Sequence, residues 1–156
     1  MAIDKDKREF DSNGKIINKQ CNTCFRMLPI NNFYSNKAQY DGFSNCCKEC
    51  ENASASVRLK NYKRNAKNRS LCFQLSKEEF IEITKEPCYY CGGFGSISPT
   101  NEKYNGIDRI DSQKGYEKNN IVPCCSKCNK MKLDLSQKDF LYHIQKIYEF
   151  QIWGGN

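Results

Sequence analysis

With 156 residues, 38% hydrophobic content and a mean hydropathy of −0.80, the chain is too polar for one large apolar core and suits one ordinary domain or two small ones. Its charged beginning and the lack of any run near ~18 apolar residues argue against a signal peptide and a transmembrane helix, predicting an intracellular protein with no membrane partner. The formal charge of +7 points to a polyanionic partner, although it falls to about +3 if eight thiolates hold two Zn²⁺. Small domains bury too little surface to order themselves unaided and recruit metals or disulfides. Eleven cysteines supply the means. In a reducing compartment, thiols in pairs read as metal ligands.

Residues 1–19 are polar and predict a flexible arm or a short hairpin. Residues 20–52 carry Cys21 and Cys24, then Cys47 and Cys50, each pair with two residues between its cysteines. Two such turns grip one tetrahedral metal, so this segment predicts a zinc ribbon with Cys46 left over. Residues 53–75 predict a basic linker or helix bearing Arg58, Lys60, Lys63, Arg64, Lys67 and Arg69. Those six cations either follow a phosphate backbone or form a solvated face. The aromatics Phe33, Tyr34, Tyr40 and Phe43 either stack on bases or make the small core of the ribbon.

Ser76 and Glu79 have capping-box spacing, predicting a helix that buries Phe80, Ile81 and either Ile83 or Thr84 and stops before Pro87. Cys88, Cys91, Cys125 and Cys128 then form a second four-thiolate set, with Cys124 as the spare. Both shells are closed, which predicts structural metals. Cys72 has no partner at this spacing and reads as a buried small hydrophobe. Between the two pairs, the sequence predicts a strand over 104–111, a turn at Lys114 and Gly115, a return strand over 120–123 and a helix from about Ser126. Strand, loop, strand and helix tied by a metal make a ββα unit. From Ser136, the residues Phe140, Leu141, Ile144, Ile147 and Tyr148 recur at helical spacing and predict a C-terminal amphipathic helix covering the core. The predicted fold class is a small, metal-stapled α+β protein.

Over residues 87–136, these features resemble the HNH or His-Me finger nucleases, most closely the endonuclease VII-like proteins of phages. The N-terminal ribbon resembles the one that often precedes such domains. The resemblance makes residues 76–150 an HNH-like ββα-metal domain with flanking helices. It implies a metal-dependent DNA endonuclease in which Asp108 and Asn129 hold one catalytic Mg²⁺ or Mn²⁺ beside the two structural Zn²⁺. Carboxylate and amide oxygens are hard donors that suit such an ion. Asn120 matches the residue that braces the connecting loop. The bland alternatives are a salt bridge from Asp108 to Arg109 or a lysine, and turn capping by Asn120 and Asn129.

Arg109 is the departure, because the family carries its general-base histidine there. A guanidinium stays protonated, so it can hold phosphate but cannot accept a proton. Three readings stay open. The metal activates water with help from Asp111, Tyr104 or Tyr116; the domain binds DNA without cutting it; or His143 folds back as the base. The run Asp108, Arg109, Ile110, Asp111 also resembles a sub-pattern of HNH-like phage and viral proteins, which implies a viral source. The family implies DNA, branched or nicked, as partner, and a homodimer for which the C-terminal helix offers an interface.

Overall fold

The computed structural model describes residues 7–154, which divide into two compact units. The first comprises residues up to Arg58 together with Ile97–Glu102, and the second comprises Leu59–Ser96 and the residues from Lys103 onward.

The first unit opens with a three-stranded antiparallel sheet of β1 (Arg8–Phe10), β2 (Ile16–Gln20) and β3 (Met27–Pro29). The hairpin is thus what forms from Arg8 onward; residues 1–6 of the expected arm lie outside the described residues. A second hairpin, β4 (Phe33–Ser35) with β5 (Phe43–Cys47), leads into the short helix α1 (Lys48–Ala53). The core of this unit is largely sulfur: Cys21, Phe33, Cys47 and Cys50 are buried, with Leu28, Ile30 and Phe43 packed around them. Polar ties do the rest. Arg8 and Lys19 both reach the carboxylate of Asp41, at 2.7 and 2.8 Å, and Lys19 and Asp41 are almost fully buried. Removing Asp41 would leave the buried Lys19 ammonium without its acid, at a cost of about 3–5 kcal/mol.

The basic segment folds as helix α2 (Ala55–Asn68), and its residues from Leu59 on count with the second unit. Leu59 and Ala66 are buried, while Lys60, Lys63, Arg64 and Lys67 are exposed. Helix α3 (Lys77–Lys85) starts with the expected capping box at Ser76 and Glu79 and ends before Pro87. Beyond the short strands β6 (Ser96–Ile97) and β7 (Lys103–Tyr104) lies the ββα unit: β8 (Gly106–Arg109), β9 (Ile121–Cys124) and helix α4 (Ser126–Lys132). Strands β8 and β9 are antiparallel, with Asp108 opposite Val122. Leu59, Ala66, Leu75, Phe80, Ile107, Tyr116 and Ile121 form one core. The Tyr62 hydroxyl threads into it, accepting from the Ile107 N–H at 3.0 Å and donating to the Ile107 carbonyl at 3.3 Å.

Two expectations need correction. Cys72 is exposed, not buried, and its thiol donates to Glu117 at 3.4 Å. The C-terminal helix α5 (Gln137–Trp153) forms as expected from Ser136, but Phe140 is its only buried residue. Leu141, Ile147 and Tyr148, expected to cover the core, are exposed, as are Phe150, Ile152 and Trp153. Helical spacing tells which residues share a face, but not whether another element lies against it.

Gly115 is set by close approach: a Cβ there would lie 2.2 Å from Cys72 Sγ and 2.6 Å from the Cys72 carbonyl oxygen. The backbone pairing beside it, Tyr116 N–H to the Cys72 carbonyl at 2.9 Å, leaves no room to yield. Gly115→Ala should therefore lower stability by about 1–3 kcal/mol in denaturant unfolding; a midpoint equal to wild type would contradict this packing.

Candidate functional site

Each cysteine quartet closes on itself. Four sulfurs at ~2.3 Å from a tetrahedral zinc lie ~3.8 Å apart. Cys21 Sγ and Cys50 Sγ stand 3.8 Å apart, as do those of Cys91 and Cys125. Within each quartet, Cys21, Cys24, Cys47, Cys50 and Cys88, Cys91, Cys125, Cys128, all four sulfurs lie within 4.8 Å of one another. Both sets could therefore hold a structural zinc, and they contain Cys47 and Cys125, not Cys46 and Cys124. Cys46 instead meets Thr23 Oγ1 at 3.0 Å, and Cys124 is a buried thiol donating to the Cys125 carbonyl.

The thiols are electrostatically unequal. Burial works against ionisation of Cys21, but the N–H groups of Cys24, Cys47 and Thr23 outweigh it and bring the thiol down to about 6. Cys88 likewise falls to about 6, as N–H groups of Cys125, Cys91 and Tyr90 overcome its burial. Burial and hydrogen bonds with neighbouring sulfurs push Cys50 and Cys128 the other way, well above the usual thiol range.

At the heart of the ββα unit, Asp108 is almost fully buried on β8. Its Oδ2 accepts the Tyr90 hydroxyl at 2.9 Å and pairs with the Lys132 ammonium at 3.3 Å. Lys132 is wholly buried at the end of α4 and also donates to the Arg109 carbonyl at 3.0 Å. The buried lysine thus takes one carboxylate oxygen and one backbone oxygen, binding the last strand residues to the helix. Burial, then the charge of Asp108, raises the Tyr90 phenol far above its usual range, so it stays a donor. No buried side-chain oxygen or nitrogen among the described residues lacks a partner. Asp108 Oδ1 has no protein hydrogen bond, so it reaches solvent.

The loop after β8 is held from two sides. Asn120 Oδ1 accepts the Asp111 N–H at 2.9 Å, and its Nδ2 donates to the carbonyls of Asp111 and Gly115 at 3.0 and 2.9 Å. Arg109 Nη1 donates to the carbonyls of Ser112 and Lys114 at 2.6 and 2.7 Å, while its guanidinium lies 5.4 Å from the centre of the Tyr116 ring. Arginine has five N–H donors, so Nε and Nη2 stay available after Nη1 has braced the loop. Asp111 itself is held below the usual carboxylate range by the Gln113 N–H and by Lys114.

Beside this loop lies an open groove of about 690 Å³, lined by residues that include Arg69, Arg109, Ser112, Asn129, Lys130 and Asp134. Three cations against one acid give it a positive charge. The structure brings Arg109 and Asn129 to this groove, together with Arg69 from the end of the basic segment. Asp108 and Asn120 are not among the lining residues. Of the remaining cations, Arg58 is half-buried and donates to the Ala53 carbonyl, and Lys63 lies over the Phe73 ring. Tyr116 is in the core, and His143 is exposed on α5. Sequence reasoning missed Tyr90 and Lys132. The signal for Lys132 was present: it follows Cys128 by one helical turn, on the face that the metal turns inward.

No protein-family model matches the chain. Over 95 residues, 60% of this chain, it is 40% identical to uncharacterized protein R423 of Acanthamoeba polyphaga mimivirus, and the match spans 16% of that protein's length. Among solved structures, the rare-cutting HNH restriction endonuclease PacI is similar at a TM-score of 0.46 and 23% identity, covering 85% of this chain and 96% of that one. No helix among the described residues is long and apolar enough to cross a membrane.

A thiol with a depressed folded pKa stabilises the fold above the free-thiol value near ~8.5 and loses that contribution as the pH falls through its folded value. For Cys21 and Cys88 that value is about 6. Elemental analysis should find two zinc ions per chain at neutral pH, with loss in acid as protons compete for the thiolates. One zinc per chain, or none, would remove a quartet from the account.

Proposed function

We propose that this chain is a metal-dependent DNA endonuclease of HNH type, hydrolysing phosphodiesters with arginine in place of the usual histidine. The observation that carries the reading is the cationic groove lined by Arg109 and Asn129, with Asp108, the residue before Arg109, held by Tyr90 and Asn120 bracing the loop. A partner-free carboxylate oxygen and an amide fit a hard divalent cation. In this reading, Asp108 and Asn129 hold Mg²⁺ or Mn²⁺, which supplies Lewis acidity at the scissile phosphate. Arg109 offers Nε and Nη2 to a phosphate oxygen while Nη1 keeps the loop in place. Asn120 braces the same loop, and the exposed cations Lys60, Arg64, Lys67 and Arg69 add sequence-independent affinity for the backbone. Arg109 takes no proton; Asp111, held low, is a weak base. The two quartets hold structural Zn²⁺. A homodimer through the exposed apolar residues of α5, and a branched or nicked substrate from a viral setting, belong to the same proposal.

One observation favours a second reading, a DNA-binding protein of the same fold that does not cut. The Asp108 carboxylate already has an ammonium partner in Lys132, and no histidine stands beside it. Plasmid nicking and branched-DNA cleavage with Mg²⁺ or Mn²⁺ separate the two. The endonuclease reading predicts metal-dependent cuts by wild type and a loss on the order of 100-fold or more in Asp108→Ala. Tight binding by wild type with no cut under either metal would favour the second reading.

A further inference from the structure

We infer that the hydroxyl of Tyr90, carried inside the second cysteine quartet, positions the Asp108 carboxylate for a divalent cation. The inference rests on the proposed reading of Asp108 as a metal ligand. Tyr90 lies between Cys88 and Cys91, so the turn that would grip zinc also carries the phenol. Its N–H helps hold the Cys88 sulfur, which ties its backbone to the cluster. Its ring is fixed edge-on by two neighbours, Tyr89 at 5.3 Å and Phe140 at 5.4 Å between centroids. Little freedom is left to the hydroxyl, which donates to Asp108 Oδ2 at 2.9 Å.

Lys132 contacts the same oxygen, so both protein donors occupy Oδ2, and Oδ1 is the oxygen left to solvent. A carboxylate anchored by one oxygen presents the other in a fixed direction, the arrangement by which outer partners orient a metal ligand. Tyr90 is a positioning residue: it touches neither substrate nor metal and acts through Asp108. The zinc turn then does more than close the fold, because its geometry sets that of the carboxylate one hydrogen bond away.

The test uses the zinc-loaded full chain and follows Mn²⁺ binding by the paramagnetic resonance signal of the free ion, in wild type, Tyr90→Phe and Asp108→Ala. Tyr90→Phe keeps the ring and should retain two zinc ions per chain while weakening Mn²⁺ binding about 10-fold. Raising Mn²⁺ should restore its cleavage, but not that of Asp108→Ala. If Asp108→Ala loses Mn²⁺ and Tyr90→Phe binds like wild type, the role of Tyr90 is overturned and the ligand reading survives. If Asp108→Ala binds Mn²⁺ like wild type, the ligand reading falls and takes this one with it. Loss of zinc from Tyr90→Phe would also overturn the inference, because the hydroxyl would then serve the turn's own fold.

Discussion

Convergence of Cys88, Cys91, Cys125 and Cys128 is the constraint on which the functional end of this molecule depends. These four sulfurs draw the turn before the ββα unit against the first turn of α4. The turn carries Tyr90, and helix α4 carries Asn129, Lys130 and, at its far end, Lys132. An apolar core of a few large side chains fixes the opposite faces of β8 and β9, but it does not reach the cysteine end, where the buried residues are themselves sulfurs. A domain this small gains its order from such a staple more than from burial.

Around Asp108 the balance of charge is finely set. A carboxylate buried without a partner would be costly; its attraction to Lys132 offsets that cost and the cost of burying the ammonium itself. The pair also fixes geometry. Lys132 holds the Asp108 side chain and the Arg109 backbone with one ammonium, so the end of β8 cannot shift against α4 without breaking both contacts. Arg109 and Asn120 do the same for the loop beyond. The groove is therefore bordered by backbone already held in place, so the phosphate contact proposed for Arg109 needs little rearrangement.

Much of this was legible in the sequence because it depends on local spacing. Two pairs of cysteines, each with two residues between them, suit one tetrahedral metal, and the choice of Cys47 and Cys125 over their neighbours followed from that spacing. The capping box at Ser76 and the ββα order are local in the same sense. What could not be read depends on tertiary neighbours. Cys72 has a small apolar side chain but lies at a surface beside Gly115 and Glu117. Lys132 looks like one more surface lysine of a basic helix until Asp108 is seen beneath it. The apolar spacing of α5 was real, yet among its residues Phe140 alone finds a buried place. Arg109 was read as a phosphate contact; its grip on two loop carbonyls came only with the fold.

The account thus turns on whether Asp108 and Asn129 share one hard cation at the edge of the groove. Anomalous diffraction from crystals of the zinc-loaded protein soaked in Mn²⁺ addresses this directly. The account predicts a manganese peak within about 2.2 Å of both Asp108 Oδ1 and the Asn129 amide oxygen, separate from two zinc peaks at the cysteine quartets. Manganese found elsewhere, or an Asp108 carboxylate still bound by Tyr90 and Lys132 alone at saturating Mn²⁺, would contradict it.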